Sequence, residues 1–205
     1  MEALLRKETA VMAPEDVARQ GVYAFLARVL CRAATAAEQE QMAALAGSKT
    51  PLNQAIAEFL QSLGETSETE VEQHYHDLFI GVGRGELLPY GSYYLTGFLN
   101  EKPLANLRLS LERLGFARAE GVREPEDHIA SLCDVMGQLI ADNATGAFDI
   151  YDQDRFFAAH IKPWASQFFA DLETAKTAGP YRYVGKIGNH FMAIEEAGFA
   201  MIARA

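Results

Sequence analysis

Apolar residues recur every three or four positions along most of the chain, which is the spacing of one face of an α-helix. In the N-terminal part, Val22, Phe25, Leu26, Val29 and Leu30 follow this spacing. The same spacing returns in later segments that start near Pro51, Ser67, Leu104, Pro125, Phe157 and Val184. No stretch alternates apolar and polar residues for long enough to predict a strand. The pattern therefore predicts an all-α protein, a single compact bundle of about eight helices.

Typical start and stop signals stand at the ends of several segments. Thr35-x-x-Glu38 and Ser67-x-x-Glu70 match the capping box, in which two side chains satisfy free amides of the first helical turn. Gly47 would end the helix that follows Thr35. Pro163 interrupts the apolar spacing that begins at Phe157, so we expect that helix to kink or restart there.

The helical pattern fails in two places. Residues 81–100 are rich in glycine and aromatic residues, and a loop this long in a compact domain is usually functional or locally structured. Residues 117–127 are largely polar and lack helical spacing, so they form the candidate hinge. We therefore expect two packed halves. Residues 1–116 form the N-terminal half, including the aromatic loop, and residues 128–205 form the C-terminal half.

Composition and charge narrow the class of partner. The chain has 205 residues, of which 49% are hydrophobic and 22% are charged, as in ordinary globular proteins. The formal net charge of −10 disfavours nucleic acids and anionic lipids as partners, and it permits a basic segment without requiring one. No apolar run approaches the roughly 18–20 residues of a membrane span, and the N-terminus lacks the apolar core of a secretory signal. We expect a cytoplasmic protein.

The two cysteines, Cys31 and Cys133, lie within apolar helical patterns. Two isolated cysteines make neither a disulfide framework nor a metal motif. We expect both thiols to be buried and reduced.

Two motifs resemble chemical sites but lack residues that such sites need. Gly81-x-Gly83-x-Gly85 has no Gly-Lys-[Ser/Thr] ending and follows a predicted helix rather than a strand, which favours a flexible turn over a phosphate loop. His74 and His76 are two positions apart, so they point in different directions on a helix. No Cys or His follows at ligand spacing. We expect no metal site, and a hydrogen-bonded His74 in the core.

The cluster Glu124-Pro125-Glu126-Asp127-His128 has two interpretations. An Asp beside a His suits acid–base chemistry or recognition, although no nucleophile stands out with them. Acidic residues after a proline also satisfy free amides and the dipole at a helix start. The segment Pro89-Tyr90-Gly91-Ser92-Tyr93-Tyr94 is equally open. Its tyrosines suit either packing of the loop or a recognition surface, because Tyr offers a large area and a hydroxyl.

Three segments, taken in order, resemble one family. They are Leu78-Phe79-Ile80-Gly81, Leu88-Pro89-Tyr90-Gly91-Ser92-Tyr93-Tyr94-Leu95, and Glu124-Pro125-Glu126-Asp127-His128-Ile129 with Met136 downstream. Together they resemble the TorD/DmsD family of redox-enzyme maturation chaperones. His160-Ile161-Lys162-Pro163-Trp164 is also similar to a family segment. The resemblance spans residues 17–200 in consistent order.

This resemblance implies an all-helical cytoplasmic chaperone, not an enzyme. Such a chaperone binds the twin-arginine signal peptide of a molybdoenzyme precursor and delays export until the molybdopterin cofactor is inserted. The implied peptide-binding residues are Leu78, Phe79, Pro89, Tyr90, Gly91, Ser92, Tyr94, Asp127 and His128, to which we add the neighbouring acid Glu124. No catalytic residue, metal or cofactor is implied, and weak GTP binding is left open. Several members have Trp at the position of Tyr90, and many have Pro at the position of Glu126.

The expected partners are the signal peptide and the apo-form of a molybdoenzyme catalytic subunit. Carboxylates would face the arginines, and an aromatic groove would face the apolar part of the signal. The alternatives are a nucleotide-responsive helical enzyme that uses Asp127, His128 and residues 81–85, and a helical adaptor with no signal-peptide role. We expect a monomer, with a dimer swapped through the hinge as a minor form.

Overall fold

The computed structural model describes residues 12–35, 37, 49–144 and 146–202. These residues contain nine α-helices, a π-helical turn at His76–Ile80 and no extended strand. The helices are α1 Pro14–Cys31, α2 Pro51–Glu65, α3 Glu68–Tyr75, α4 Gly91–Thr96, α5 Lys102–Arg113, α6 Ile129–Asn143, α7 Ile150–His160, α8 Ala165–Thr174 and α9 Tyr181–Ile202. The predicted all-α fold is confirmed. The predicted capping box at Thr35 and Glu38 and its stop at Gly47 fall partly or wholly outside the described residues.

Two of the predicted local signals, the Ser67 capping box and the break at Pro163, are confirmed. The Ser67 hydroxyl accepts a hydrogen bond from the Glu70 amide, and the Glu70 carboxylate accepts one from the Ser67 amide, which completes the predicted capping box of α3. α7 ends at His160 and α8 begins at Ala165, so Pro163 separates two helices as predicted. Gly81 ends the π-helical turn with φ of 60°, in the left-handed region that favours glycine.

Helices from both predicted halves share one hydrophobic core. α1 packs along α6, and α9 packs against α8 and α2. The largest fully buried aromatic side chains are Tyr23, Phe59, Phe157, Phe168, Phe169, Tyr181 and Phe191. Because this core is continuous, α6 and α9 are held in place by elements from the other end of the chain. The division into halves joined by a hinge at 117–127 stays a prediction.

A buried ion pair ties the first helix to the last. Arg19 on α1 donates from Nε and Nη2 to the Glu195 carboxylate on α9, at 2.7 and 2.8 Å. The Tyr23 hydroxyl donates to the same carboxylate at 3.0 Å. Glu195 is 3% exposed, so these donors compensate a charge that would otherwise be costly to bury.

Three sequence-based expectations need correction. The aromatic stretch after Pro89 does not stay non-helical, because Gly91–Thr96 forms the short helix α4. Cys31 is exposed rather than buried, since it is the last residue of α1, whereas Cys133 is buried as predicted. The helix that follows Ser67 is α-helical only to Tyr75, and its last turn is π-helical, with the Gly81 amide donating to His76 O at 2.7 Å.

Candidate functional site

A short antiparallel bridge joins the aromatic loop to the acidic cluster that ends at His128. Tyr90 and His128 form this bridge. The Ile129 amide donates to Pro89 O at 2.9 Å, and the Gly91 amide donates to Asp127 O at 2.9 Å. We call residues 89–92 with residues 124–129 the bridge junction. The backbone itself therefore brings the aromatic loop and the acidic cluster together.

Asp127 anchors α4 rather than α6, the helix that begins two residues after it. Its side chain is buried, with 3% exposed, and Oδ2 accepts a hydrogen bond from the Ser92 amide at 2.7 Å. The start of α6 is capped instead by His128, whose Nδ1 accepts from the Ala130 amide at 3.1 Å. A helix does begin directly after the acidic cluster, as the helix-start interpretation expects, but its free amide is capped by His128 and not by an acidic residue. Asp127 satisfies an amide of a helix far away in sequence.

His128 is buried and held in one tautomer. Nδ1 accepts the Ala130 amide, so the neutral ring carries its proton on Nε2. Burial lowers the pKa of His128 to about 4, although the charges of Glu124 and Asp127 partly oppose this shift. The Tyr90 ring meets the imidazole edge-on, with ring centroids 5.2 Å apart. His128 is thus neutral near pH 7.

Tyr90 presents an aromatic face beside an exposed carboxylate. Its hydroxyl donates a hydrogen bond to Oε1 of Glu124. Burial and this hydrogen bond raise the pKa of Tyr90 above its usual value. Glu124 is exposed and Tyr90 is half-buried. This side of the junction offers a ring and a negative charge to an approaching partner.

Phe79 and Tyr94 contact different neighbours. The Phe79 ring packs against Tyr75 and Tyr181, with centroid distances of 5.2 and 6.0 Å. The Tyr94 hydroxyl donates to Asp171 on α8 at 2.9 Å, and its ring lies 5.4 Å from that of Trp164. Tyr94 therefore fixes α4 to α8.

A cleft of about 210 Å³ opens between α4, α5, α6 and the α7–α8 turn. Its lining residues are Gly91, Leu95, Pro103, Asn106, Leu107, Asp127, Leu132, Ala159, His160 and Trp164. The Trp164 indole donates to His160 O at 2.8 Å, which fixes the ring in the wall of the cleft. A Cβ at Gly91 would lie 3.0 Å from Trp164 Nε1, so a larger residue there would crowd this wall.

Comparison with known sequences identifies the family. Residues 45–170, more than half of the chain, match the family described as nitrate reductase delta subunit. The chain belongs to this family. It is 27% identical to the chaperone protein TorD of Vibrio atlanticus over 154 residues, which cover 69% of this chain and 72% of that protein.

Two further relatives carry the same name. The chaperone protein TorD of Aliivibrio salmonicida is 28% identical over 159 residues, covering 71% of this chain and 72% of the relative. That of Photobacterium profundum is 36% identical over 78 residues, covering 37% of this chain and 36% of the relative. The resemblance to the TorD family that the sequence motifs indicated is confirmed.

Burial divides the ten residues predicted to bind the peptide, which are the nine that the TorD resemblance implies and the added Glu124. Six of the ten are buried: Leu78, Pro89, Gly91, Ser92, Asp127 and His128. Phe79, Tyr90 and Tyr94 are half-buried, and Glu124 is exposed. The buried residues other than Leu78 build the frame of the bridge junction, and the half-buried and exposed residues offer side-chain surface. Their role in peptide binding stays a prediction.

Sequence reasoning did not single out several residues that line the cleft. Leu107, Ala159, His160 and Trp164 come from three elements that only the fold brings together. One signal pointed to this wall, because the segment from His160 to Trp164 resembles a segment of the TorD family. Leu107 and Ala159 carried no such signal.

Close backbone packing requires glycine at two positions of the glycine-rich loop, Gly81 and Gly85. A Cβ at Gly81 would lie 2.1 Å from Arg84 O, and one at Gly85 would lie 2.5 Å from Leu78 O. The loop thus turns back tightly on the π-helical turn. Arg84 donates to the Tyr93 hydroxyl at 2.8 Å, and Glu86 accepts the Lys176 and Thr177 amides.

The histidine pair His74 and His76 has hydrogen-bond partners in the protein itself. His74 Nδ1 lies 2.8 Å from Thr177 O, and the ring is half-buried, which confirms a hydrogen-bonded histidine. His76 Nδ1 lies 3.3 Å from Asp77 Oδ1.

Among the helices that the structure describes, none is long and apolar enough to cross a membrane.

Proposed function

We propose that the protein is a cytoplasmic, system-specific chaperone of redox-enzyme maturation. It binds the twin-arginine signal peptide of a molybdoenzyme precursor, and it delays export of the apoenzyme until the molybdopterin cofactor is inserted. It acts by binding rather than by catalysis. Its partner is the apo-form of a molybdoenzyme catalytic subunit.

The bridge junction supports this proposal. It joins an aromatic side chain, Tyr90, with carboxylates of Glu124 and Asp127 in a protein whose net charge is −10. A twin-arginine signal combines a basic stretch with an apolar one. Guanidinium groups bind carboxylates through strong charge-assisted hydrogen bonds, and apolar residues bind aromatic surfaces. Membership of a family whose curated relatives are named chaperones agrees with a binding role.

Co-purification from the source organism tests this function. The tagged protein should capture a molybdoenzyme catalytic subunit whose signal peptide is still attached, identified by mass spectrometry of its N-terminal peptide. Capture of the mature, signal-free enzyme alone, or of no molybdoenzyme, would contradict the proposal.

A role in nucleotide binding remains a separate hypothesis. Weak binding of GTP stays a prediction. Equilibrium dialysis with GTP would test it. No contact in the described residues favours residues 81–85 as a phosphate site, since Gly81 and Gly85 are explained by close backbone packing.

A further inference from the structure

A second pocket, of about 390 Å³, lies between α5 and α7. Its lining residues are Ser110, Arg113, Leu114, Asp152, Arg155, Phe156, Ala159 and His160. We call this space the α5–α7 pocket. Its volume falls within the range of about 300–1,000 Å³ that is typical of small-molecule sites. None of the ten residues predicted to bind the peptide lines it.

The charge of this pocket is opposite in sign to that of the whole protein. Arg113 and Arg155 bring two positive charges to its lining, and Asp152 brings one negative charge. Burial lowers the pKa of His160 below its ordinary value of 6.5, so this imidazole is neutral near pH 7. The lining therefore carries a net positive charge in a chain whose net charge is −10. A positively charged pocket favours an anionic ligand.

The two guanidinium groups have donors left for such a ligand. Arg155 donates from Nη2 to Asp152 at 2.6 Å and has further N–H groups that this bond does not use. Arg113 forms no ion pair or side-chain hydrogen bond with the residues that the structure describes. Guanidinium carries five N–H donors and binds carboxylate or phosphate oxygens in pairs.

A hydroxyl and an imidazole complete the polar part of the lining. His160 Nε2 lies 2.8 Å from Ser110 Oγ, and the Ser110 hydroxyl donates to Asn106 O at 3.3 Å. With its proton on Nε2, the neutral imidazole donates to Ser110 Oγ. The hydroxyl hydrogen is then held only by the long bond to Asn106, so it can turn to an anion in the pocket.

The rest of the lining is apolar. Phe156 is buried and Leu114 is half-buried, and both contribute surface to the pocket. The Phe156 ring lies 5.1 Å from the imidazole of His160, measured between ring centroids. Covering apolar surface stabilises a complex, so this part of the pocket favours a ligand with an apolar body over a bare inorganic ion.

We propose that the α5–α7 pocket binds a small organic anion, a carboxylate or a phosphate monoester that carries an aromatic or other apolar body. Arg113 and Arg155 bind the anionic group, and the Ser110 hydroxyl donates to it. The apolar body lies against Leu114 and Phe156. This site is separate from the residues predicted to bind the peptide, and the inference does not depend on the proposed function.

NMR titrations of the full chain test this site. The probes are phenyl phosphate, benzoate, inorganic phosphate and, as a neutral aromatic molecule, phenol. The backbone amide signals of Ser110 and Leu114 and the ring signals of His160 report on the pocket. An anion bound beside His160 should also raise the pKa of its imidazole, which the same ring signals measure.

We expect saturable shifts of these signals with phenyl phosphate, benzoate or both, and none with phenol. The organic anion that binds more tightly identifies the anionic group as phosphate or carboxylate. Inorganic phosphate should bind at least about fivefold more weakly than that anion, because it leaves the apolar surface uncovered. No saturable shift with either organic anion, equal shifts with phenol, or equally tight binding of inorganic phosphate would overturn the proposed ligand class.

Two exposed arginines provide a matched pair of variants. Arg113→Gln removes one positive charge from the pocket, and Arg123→Gln removes one from a residue that does not line it. Arg113→Gln should weaken binding of the tighter organic anion by about fivefold or more, since the lost hydrogen bonds are charge-assisted but open to solvent. Arg123→Gln should leave binding unchanged. Equal affinities of the two variants would overturn the role of Arg113 and with it the proposed site.

Discussion

Asp127 connects two segments through both its backbone and its side chain. Its carbonyl accepts the Gly91 amide, and its carboxylate accepts the Ser92 amide. Asparagine has a carbonyl oxygen of similar reach, so Asp127→Asn can keep the bond to Ser92 while it removes the charge. The substitution therefore separates the structural role of Asp127 from a role in binding a cation.

We expect Asp127→Asn to lower the melting temperature by a few degrees at most. Replacing a charge-assisted hydrogen bond with a neutral one costs about 1 kcal/mol, which corresponds to about 2–4 °C in a domain of this size. Affinity for a peptide with two adjacent arginines should fall by about tenfold to a hundredfold. Calorimetry and thermal melts of the same samples measure both quantities.

Asp134→Asn is the matched control, since Asp134 lies on α6, is exposed and accepts a hydrogen bond from the neighbouring Gln138 side chain. It should change neither quantity. An Asp127→Asn protein that melts early yet binds normally when folded would show that the residue is structural only.

His128 makes stability depend on pH. Its folded-state pKa of about 4 lies below the ordinary value of 6.5, so the unfolded chain takes up a proton first as the pH falls. The free energy of unfolding contributed by this group should therefore be complete above pH 6.5. It should be lost between about pH 6.5 and about pH 4, by on the order of 3 kcal/mol.

Comparison with His128→Asn isolates this contribution, because Asn keeps a side-chain cap for α6 but does not titrate. The stability advantage of the wild-type protein over the variant, measured by urea unfolding, should shrink across this pH window. A difference that stays constant with pH would contradict the buried neutral imidazole.

At the scale of elements, the longer helices follow from sequence and α4 does not. The apolar spacing and the Ser67 capping box are local signals, and they predict α2, α3 and α6 through residues that lie within or beside each helix. The donors and acceptors that stabilise α4 are distant, since the carboxylate that accepts the Ser92 amide belongs to Asp127. No short stretch of the sequence contains both Ser92 and Asp127. The Trp164 wall of the cleft escapes prediction for the same reason.

The packing of α8 on α9 depends on close contact at a glycine. A Cβ at Gly185 would lie 2.5 Å from Glu173 N and 2.7 Å from Phe169 O, both backbone atoms that can move only with the helix. Gly185→Ala should therefore lower the free energy of unfolding by about 2 kcal/mol or more. Urea unfolding measures this change.

Gly198 on the same helix is the control, because nothing lies within 4 Å of its Cβ position. Gly198→Ala should be neutral or stabilising by about 0.5–1 kcal/mol, since alanine favours the helix. Equal effects at the two glycines would show that helix propensity, not packing, decides the outcome.

At the scale of the whole molecule, ion pairs hold the predicted hinge against α5. The Glu126 carboxylate accepts hydrogen bonds from Arg108 on α5 and from Arg118 within residues 117–127. Burial raises the pKa of Glu126, but the hydrogen bonds from Arg118 and Arg108 outweigh it and lower this pKa to about 2. These contacts favour folding back within one chain.

We therefore expect a monomer by analytical ultracentrifugation, with at most a minor swapped dimer. Glu126→Gln, which loses both ion pairs, should increase the dimer fraction. A wild-type dimer whose proportion does not change with concentration would contradict the predicted monomer.

The proposed function requires this TorD-family protein to recognise the paired arginines of a signal peptide. The most direct measurement is calorimetric titration of the wild-type protein with two peptides, one with both arginines and one with glutamines in their place. Each charge-assisted hydrogen bond contributes about 1.5–3 kcal/mol, so the glutamine peptide should bind at least about tenfold more weakly. Equal affinity for the two peptides would contradict it.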